Sequence, residues 1–191
     1  AIGIMAKNNH TVVNKILELL QSSGEEILQY KDESYKARDL FANKLSIQYL
    51  PTRVIQVYAK MVDKEIPSIR MDLADLLRIY PADKTLDVQQ LVSIIGTIIP
   101  RLYSISSSPL AHGENEVHLT VSRNTFNVDG HLRHGLCSDY LSTLKEGTTL
   151  QIYVQKNNSF KLPATDKDVI MIGPGTGVAP SPLNIPPPVG G

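Results

Sequence analysis

Cysteine is almost missing from this sequence. Cys137 stands alone among 191 residues, which rules out an internal disulfide framework and any cysteine-cluster metal site. A charge excess is missing too. Lys and Arg total 19 and Asp and Glu total 19, for a net charge of zero. Residues 1–100 hold 12 basic and 12 acidic side chains, which leaves 7 and 7 for the rest. Neither half is a basic patch, so a general nucleic-acid binder is excluded. No apolar run approaches the ~20 residues that span a bilayer, and the first residues are too short in apolar length for a signal peptide. What remains is 42% hydrophobic and 20% charged, the composition of a soluble globular chain. The expected location is a reducing compartment, the cytoplasm. The length suits one full domain or two incomplete ones.

Both ends read as cut. Ala1, Ile2, Gly3, Ile4 and Met5 resemble the inside of a strand. Near the other end, Val169-Ile170-Met171-Ile172 reads as a buried parallel strand, followed by the loop Gly173-Pro174-Gly175-Thr176-Gly177. A helix should come next. Residues 181–191 carry four prolines instead, which a helix does not accommodate. The expectation is a fragment, with a further domain that starts near residue 168 and loses its body at once.

Residues 11–100 carry apolar side chains at helical spacing. A first helix runs through Val12, Val13, Ile16, Leu17 and Leu20 behind Thr11 as candidate N-cap. A weaker one is expected over 34–45, a third from Pro51, a fourth from Pro67 to Tyr80 and a fifth after the cap Asp87. From Pro100 the period becomes two. Residues 102–106, 116–121 and 150–154 alternate as antiparallel strands with one wet face, and Gly135 precedes a short helix.

Three groups of residues can carry chemistry. On a strand, Arg101 and Tyr103 share a face, one as an anion clamp and one as a flat platform. An edge Arg beside a half-buried Tyr is the ordinary alternative. Gly135-Leu136-Cys137-Ser138 runs into a helix start, where backbone N–H groups and the Ser hydroxyl suit an anion. A plain Ser N-cap fits the same residues, and Cys137 fits a small buried thiol. The loop at 173–177 follows an apolar strand as in dinucleotide folds, without the full G-x-G-x-x-G pattern. His10, His112, His118, His131 and His134 lack ligand spacing, so no metal site is expected, and His131 and His134 read as part of a polar loop.

In series, R-L-Y-S-I-S-S-S at 101–108, V-H-L-T-V at 117–121, G-L-C-S-D-Y-L at 135–141 and V-I-M-I-G-P-G-T-G-V-A-P at 169–180 resemble the FAD region of the diflavin reductases. Within that family the chain is most similar to the flavoprotein subunits of NADPH-dependent sulfite reductase, the cytochrome and nitric oxide synthase reductases being more distant. The resemblance implies an α+β chain. Its parts would be an incomplete antiparallel FAD-binding β-barrel (1–10 and 99–166), an inserted all-helical connecting subdomain (11–98) and a vestige of an α/β nicotinamide domain (167–180) before a Pro/Gly tail (181–191).

It also implies roles for single residues. Arg101 would meet the FAD pyrophosphate, Leu102 would give backbone contacts and Tyr103 would stack on the isoalloxazine. Ser104, the catalytic candidate, would sit near its reactive nitrogen. Thr120 and Val121 would touch the flavin side. Ser122 follows them where the pattern often has Gly. Phe126 would stack on adenine where Tyr is usual, and Gly135, Leu136, Cys137 and Ser138 would hold the pyrophosphate. A Thr that many relatives carry appears as Gln48, and its role is not transferred. The parent would pass electrons from NADPH through FAD to FMN and then to a sulfite-reducing hemoprotein. The FMN and NADPH domains are absent from this sequence, so the chain by itself is expected to be inactive. The competing expectation is a non-catalytic helical and β interaction module that has lost flavin.

Overall fold

The computed structural model describes residues 1–83, 86–128, 131–157, 168, 170, 172–173 and 175–179. In chain order its elements are β1 (Ile2–Ile4), α1 (His10–Leu19), β2 (Ile27–Tyr30), β3 (Glu33–Lys36), α2 (Ala37–Asn43), α3 (Thr52–Val62), α4 (Leu73–Ile79) and α5 (Val88–Ile94). Then follow β4 (Arg101–Tyr103), α6 (Pro109–His112), β5 (Thr125–Val128), β6 (His131–His134), α7 (Leu136–Ser142) and β7 (Ile152–Val154). They divide between two compact units. One holds Ala1–Met5, Pro100–Asn124 and the described residues from Leu144 onward; the other holds the described residues of Ala6–Ile99 and Thr125–Thr143.

The larger unit is built on the helical apolar stripes. Val13, Ile16 and Leu17 of α1 are buried with Leu40 and Phe41 of α2, and α1 also packs on α4 through Leu73, Leu76 and Leu77. Val54, Ile55 and Tyr58 bring α3 into the same core. Tyr58 is fully buried, and its hydroxyl donates to the Tyr80 carbonyl at 2.8 Å. Burial pushes that phenol up to about 12. Caps set the helix starts. Asp87 accepts from the Gln89 and Gln90 N–H groups ahead of α5, as its place in the sequence predicts.

Several expectations shift here. The α1 cap is Asn9, which accepts from the Thr11 N–H at 2.8 Å, so Thr11 is inside the helix rather than its cap. Residues 33–36 form a strand, and the second helix starts only at Ala37. Lys31 and Asp32 both take positive φ, the geometry of a tight hairpin turn between β2 and β3. The fourth helix begins at Leu73, not Pro67, because Asp72 caps it through the Asp75 N–H. The polar stretch around His131 and His134 is strand β6, paired with β5 in register Thr125↔His134 and Phe126↔Arg133.

The smaller unit carries a three-stranded antiparallel sheet of order β4-β1-β7, in which Ile2 pairs with Tyr103 and Val154, and Ile4 with Arg101 and Ile152. A Cβ added at Gly3 of its central strand would come 2.1 Å from the Tyr153 ring, so that ring would have to move aside. The described strands form open antiparallel sheets and no closed barrel. Residues 116–121, expected as a strand, contribute only an antiparallel bridge, Ile105↔Leu119. The apolar run at 169–172 reads locally as a buried strand but, with its domain cut short, is expected to be extended or poorly packed, and its described positions are exposed. Ile170 and Ile172 are about nine-tenths exposed and unpaired, while Val169 and Met171 lie outside the described residues. Residues 175–178 make a single 3-10 turn, and the proline tail from 181 lies outside the described residues.

Candidate functional site

In the smaller unit, strand alternation sends Arg101 and Tyr103 to one face of β4 and the half-exposed Leu102 to the other. Arg101 is exposed and has no ion-pair partner among the described residues, so its guanidinium is available to an anion. Tyr103 is half-buried and Ser104 exposed. The Ile105↔Leu119 bridge and the Ser106 N–H donating to the His118 carbonyl at 2.9 Å join the residues just after this segment to those just before Thr120, Val121 and Ser122. Of these three, Val121 is half-buried and the two hydroxyl residues are exposed.

In the larger unit, Phe126 on β5 and the loop at 135–138 meet at one end of a single hairpin, because Thr125 pairs with His134, the residue before Gly135. Gly135 occupies the N-cap of α7 without a side chain to cap it. Leu136 and Cys137 are half-buried and Ser138 is buried. The Ser138 hydroxyl donates to the Gly135 carbonyl at 3.1 Å.

A cavity of about 600 Å³ opens on the same hairpin, lined among others by Gln48, Tyr49, Asp72, Arg133 and His134. Arg133 bridges Asp72, at 3.3 Å, and Asp75. Burial pushes the Asp72 carboxyl above its ordinary range, with Asp75 adding to the rise and Arg133 opposing it. Gln48 Oε1 and His134 Nδ1 are buried with no hydrogen-bond partner in this structure. Buried polar atoms of that kind ordinarily find a partner. Sequence reasoning passed over Tyr49, Asp72, Asp75 and Arg133, and no local motif announces them.

Each unit, taken by itself, holds residues of a kind that suits one part of FAD. In the smaller unit, a guanidinium that is exposed and has no ion-pair partner among the described residues suits a diphosphate and the half-buried Tyr103 ring suits a flat heterocycle; in the larger unit the half-buried Phe126 ring suits another. No group of three or more His, Cys, Asp and Glu side chains capable of holding a metal occurs among the described residues. No helix among them is long and apolar enough to cross a membrane.

Sequence comparison gives the family. The FAD binding domain family matches residues 43–140, and the chain belongs to that family, whose cofactor is FAD. Its curated relatives include the sulfite reductase [NADPH] flavoprotein alpha-components of Zymomonas mobilis (37% identical), Cronobacter sakazakii (33%) and Photorhabdus laumondii (33%). Each match covers 94% of this chain and 32% of the relative, so the chain spans about a third of their length.

Proposed function

We propose that this chain supplies the FAD site of an NADPH-dependent oxidoreductase of the sulfite reductase flavoprotein type. Arg101 and the 135–138 loop hold the pyrophosphate. Tyr103 offers its ring to the isoalloxazine, Leu102 lends backbone contacts, and Ser104 holds a hydroxyl near the reactive nitrogen. Thr120, Val121 and Ser122 line the flavin side, and Phe126 stacks on adenine. When bound, FAD supplies hydride acceptance and electron release, while the protein orients it and tunes its potential. The whole protein takes electrons from NADPH and passes them through FMN to a hemoprotein, in the cytoplasm.

One observation carries this reading: all twelve candidate residues lie inside the 43–140 match to the FAD-binding family. FAD titration of the purified chain tests it. The expected complex is yellow, absorbs near ~450 nm and releases FAD on denaturation. Tyr103→Ala should weaken FAD and raise flavin fluorescence. Arg101→Ala should cost FAD about 2 kcal/mol, the worth of a charged hydrogen bond, and leave riboflavin nearly unchanged because riboflavin has no phosphate. A colourless chain that takes up no FAD would refute the reading, and equal losses for both ligands would remove Arg101 from the phosphate.

A further inference from the structure

Tyr49 is out of place by local rules. It takes φ 52, the left-handed region that a bulky aromatic rarely enters. The flanking residues explain how it is held there. Ile47 and Leu50 are both buried in the core. The Ile47 carbonyl accepts from the Leu73 N–H at 2.9 Å, and the Leu50 N–H donates to the Met71 carbonyl at 3.0 Å. With the backbone pinned on both sides to Met71 and Leu73, the left-handed turn at Tyr49 leaves its ring half-buried beside the core. Its ring then meets Phe126 on β5, with centroids 5.0 Å apart and planes tilted by 53°. A left-handed conformation costs a bulky aromatic free energy and persists only where the surround holds it. A Gly or Asn would make the same turn without strain, and neither would bring a ring to Phe126.

We propose that Tyr49 is a positioning residue for the adenine platform: its ring fixes the plane of Phe126 so that the Phe126 face is preset for a purine. This rests on the reading of Phe126 given under Proposed function. The tilted geometry suits that role, since a neighbour inclined by 53° orients a ring without stacking flat on it. Gln48, next to Tyr49 in the chain, lines the same cavity, and its Oε1 is buried with no hydrogen-bond partner in this structure.

The test uses the full chain, with FAD and riboflavin titrated in parallel so that their difference isolates the adenosine diphosphate half. Tyr49→Gly and Tyr49→Asn both suit the left-handed backbone, so the fold survives while the ring is lost. Each should weaken FAD about five-fold, the worth of one aromatic pair, and leave riboflavin unchanged. Tyr49→Phe should restore wild-type FAD affinity. In a Phe126→Ala background, Tyr49→Gly should add no further loss, because the platform it orients is already gone. Unchanged FAD affinity in both Tyr49 variants, with Phe126→Ala still weakened, would overturn the positioning role and leave the FAD reading standing. Equal losses for FAD and riboflavin would overturn it as well, by showing a general destabilisation. A chain that binds neither ligand would overturn the FAD reading itself and the role of Tyr49 with it.

Discussion

Arg133 ties the hairpin that carries Phe126 to the start of α4, and removing it has a cost that the geometry sets. Its side chain is 36% exposed, against 17% for Asp72 and 24% for Asp75. At 3.3 Å from Asp72 and an effective dielectric near 20, the bare attraction is roughly 5 kcal/mol. Desolvation of three charged groups and the ordering of a long side chain offset most of that. A net contribution of about 1–2 kcal/mol remains, between an exposed pair and a fully buried one. Arg133→Met should therefore lower unfolding free energy by about 2 kcal/mol at neutral pH, since it also leaves the Asp72 carboxylate without its cation, whereas Asp75 keeps Arg78 at 3.0 Å. Asp72→Asn is the clean second arm, because Asn keeps the oxygen that caps α4. Urea unfolding of both single variants and the double should give a coupling of about 1 kcal/mol. The pH dependence carries a sign. Burial already raises the folded Asp72 carboxyl above its ordinary 3.8, and losing Arg133 raises it further. A raised carboxyl favours folding below the unfolded value, and that advantage is lost as pH rises through the folded value. The Arg133→Met penalty should accordingly shrink toward pH ~4 and reach full size near pH ~7. A penalty that does not change over that range, or a coupling indistinguishable from zero, would refute the account.

Other perturbations probe other parts of the fold. Asn8 is buried, and its amide donates to the Phe41 carbonyl at 2.6 Å and the Leu45 carbonyl at 2.8 Å. Asn8→Ala should cost about 2 kcal/mol, and Asn8→Asp more at neutral pH because it sets an acceptor against two acceptors; denaturation that ranks Asp above Ala would contradict this. Gly3→Ala should unpair β1 from β7 by displacing the Tyr153 ring, with amide exchange rising in residues 2–4 and 152–154. A compensating Tyr153→Ser should recover protection, and no recovery would count against the steric cause. Glu26 accepts from the Ser22 hydroxyl and from the Ser23 and Gly24 N–H groups, and the Ser22 hydroxyl, its own backbone N–H and that of Ser23 lower its carboxyl to about 2. A lowered carboxyl stabilises above the unfolded value of 4.5, and that support fades as pH falls toward 2. Glu26→Gln should thus flatten the acid decline of Tm; an unaltered decline would show that the turn does not depend on the charge.

What the sequence disclosed and what it hid follow from the range of the interactions. The α1 stripe of Val13, Ile16 and Leu17, the Asp87 cap and the R-L-Y strand are set by neighbours a few residues away, and periodicity and capping rules find them. The hairpins were harder. The β2–β3 turn is made by Lys31 and Asp32 in place of the usual Asn-Gly, so no turn signal separates it from the helix expected at 34–45. The β5–β6 pair alternates weakly, and its polar His and Arg positions read as a loop. Asp72 displaces Pro67 as a helix start because a cap that accepts a hydrogen bond outweighs a residue that merely tolerates the first turn. The candidate site divides in the same way. Arg101, Tyr103 and the 135–138 loop are short runs whose chemistry is visible residue by residue. Tyr49 and Arg133 acquire meaning only once tertiary structure sets one against Phe126 and the other between Asp72 and Asp75. Contact residues can be named from a short motif, but the residues that hold them in position belong to segments far away in the chain. A variant such as Tyr49→Gly, which leaves every recognisable motif intact, is therefore the sharper probe of whether this hairpin is built to receive a purine.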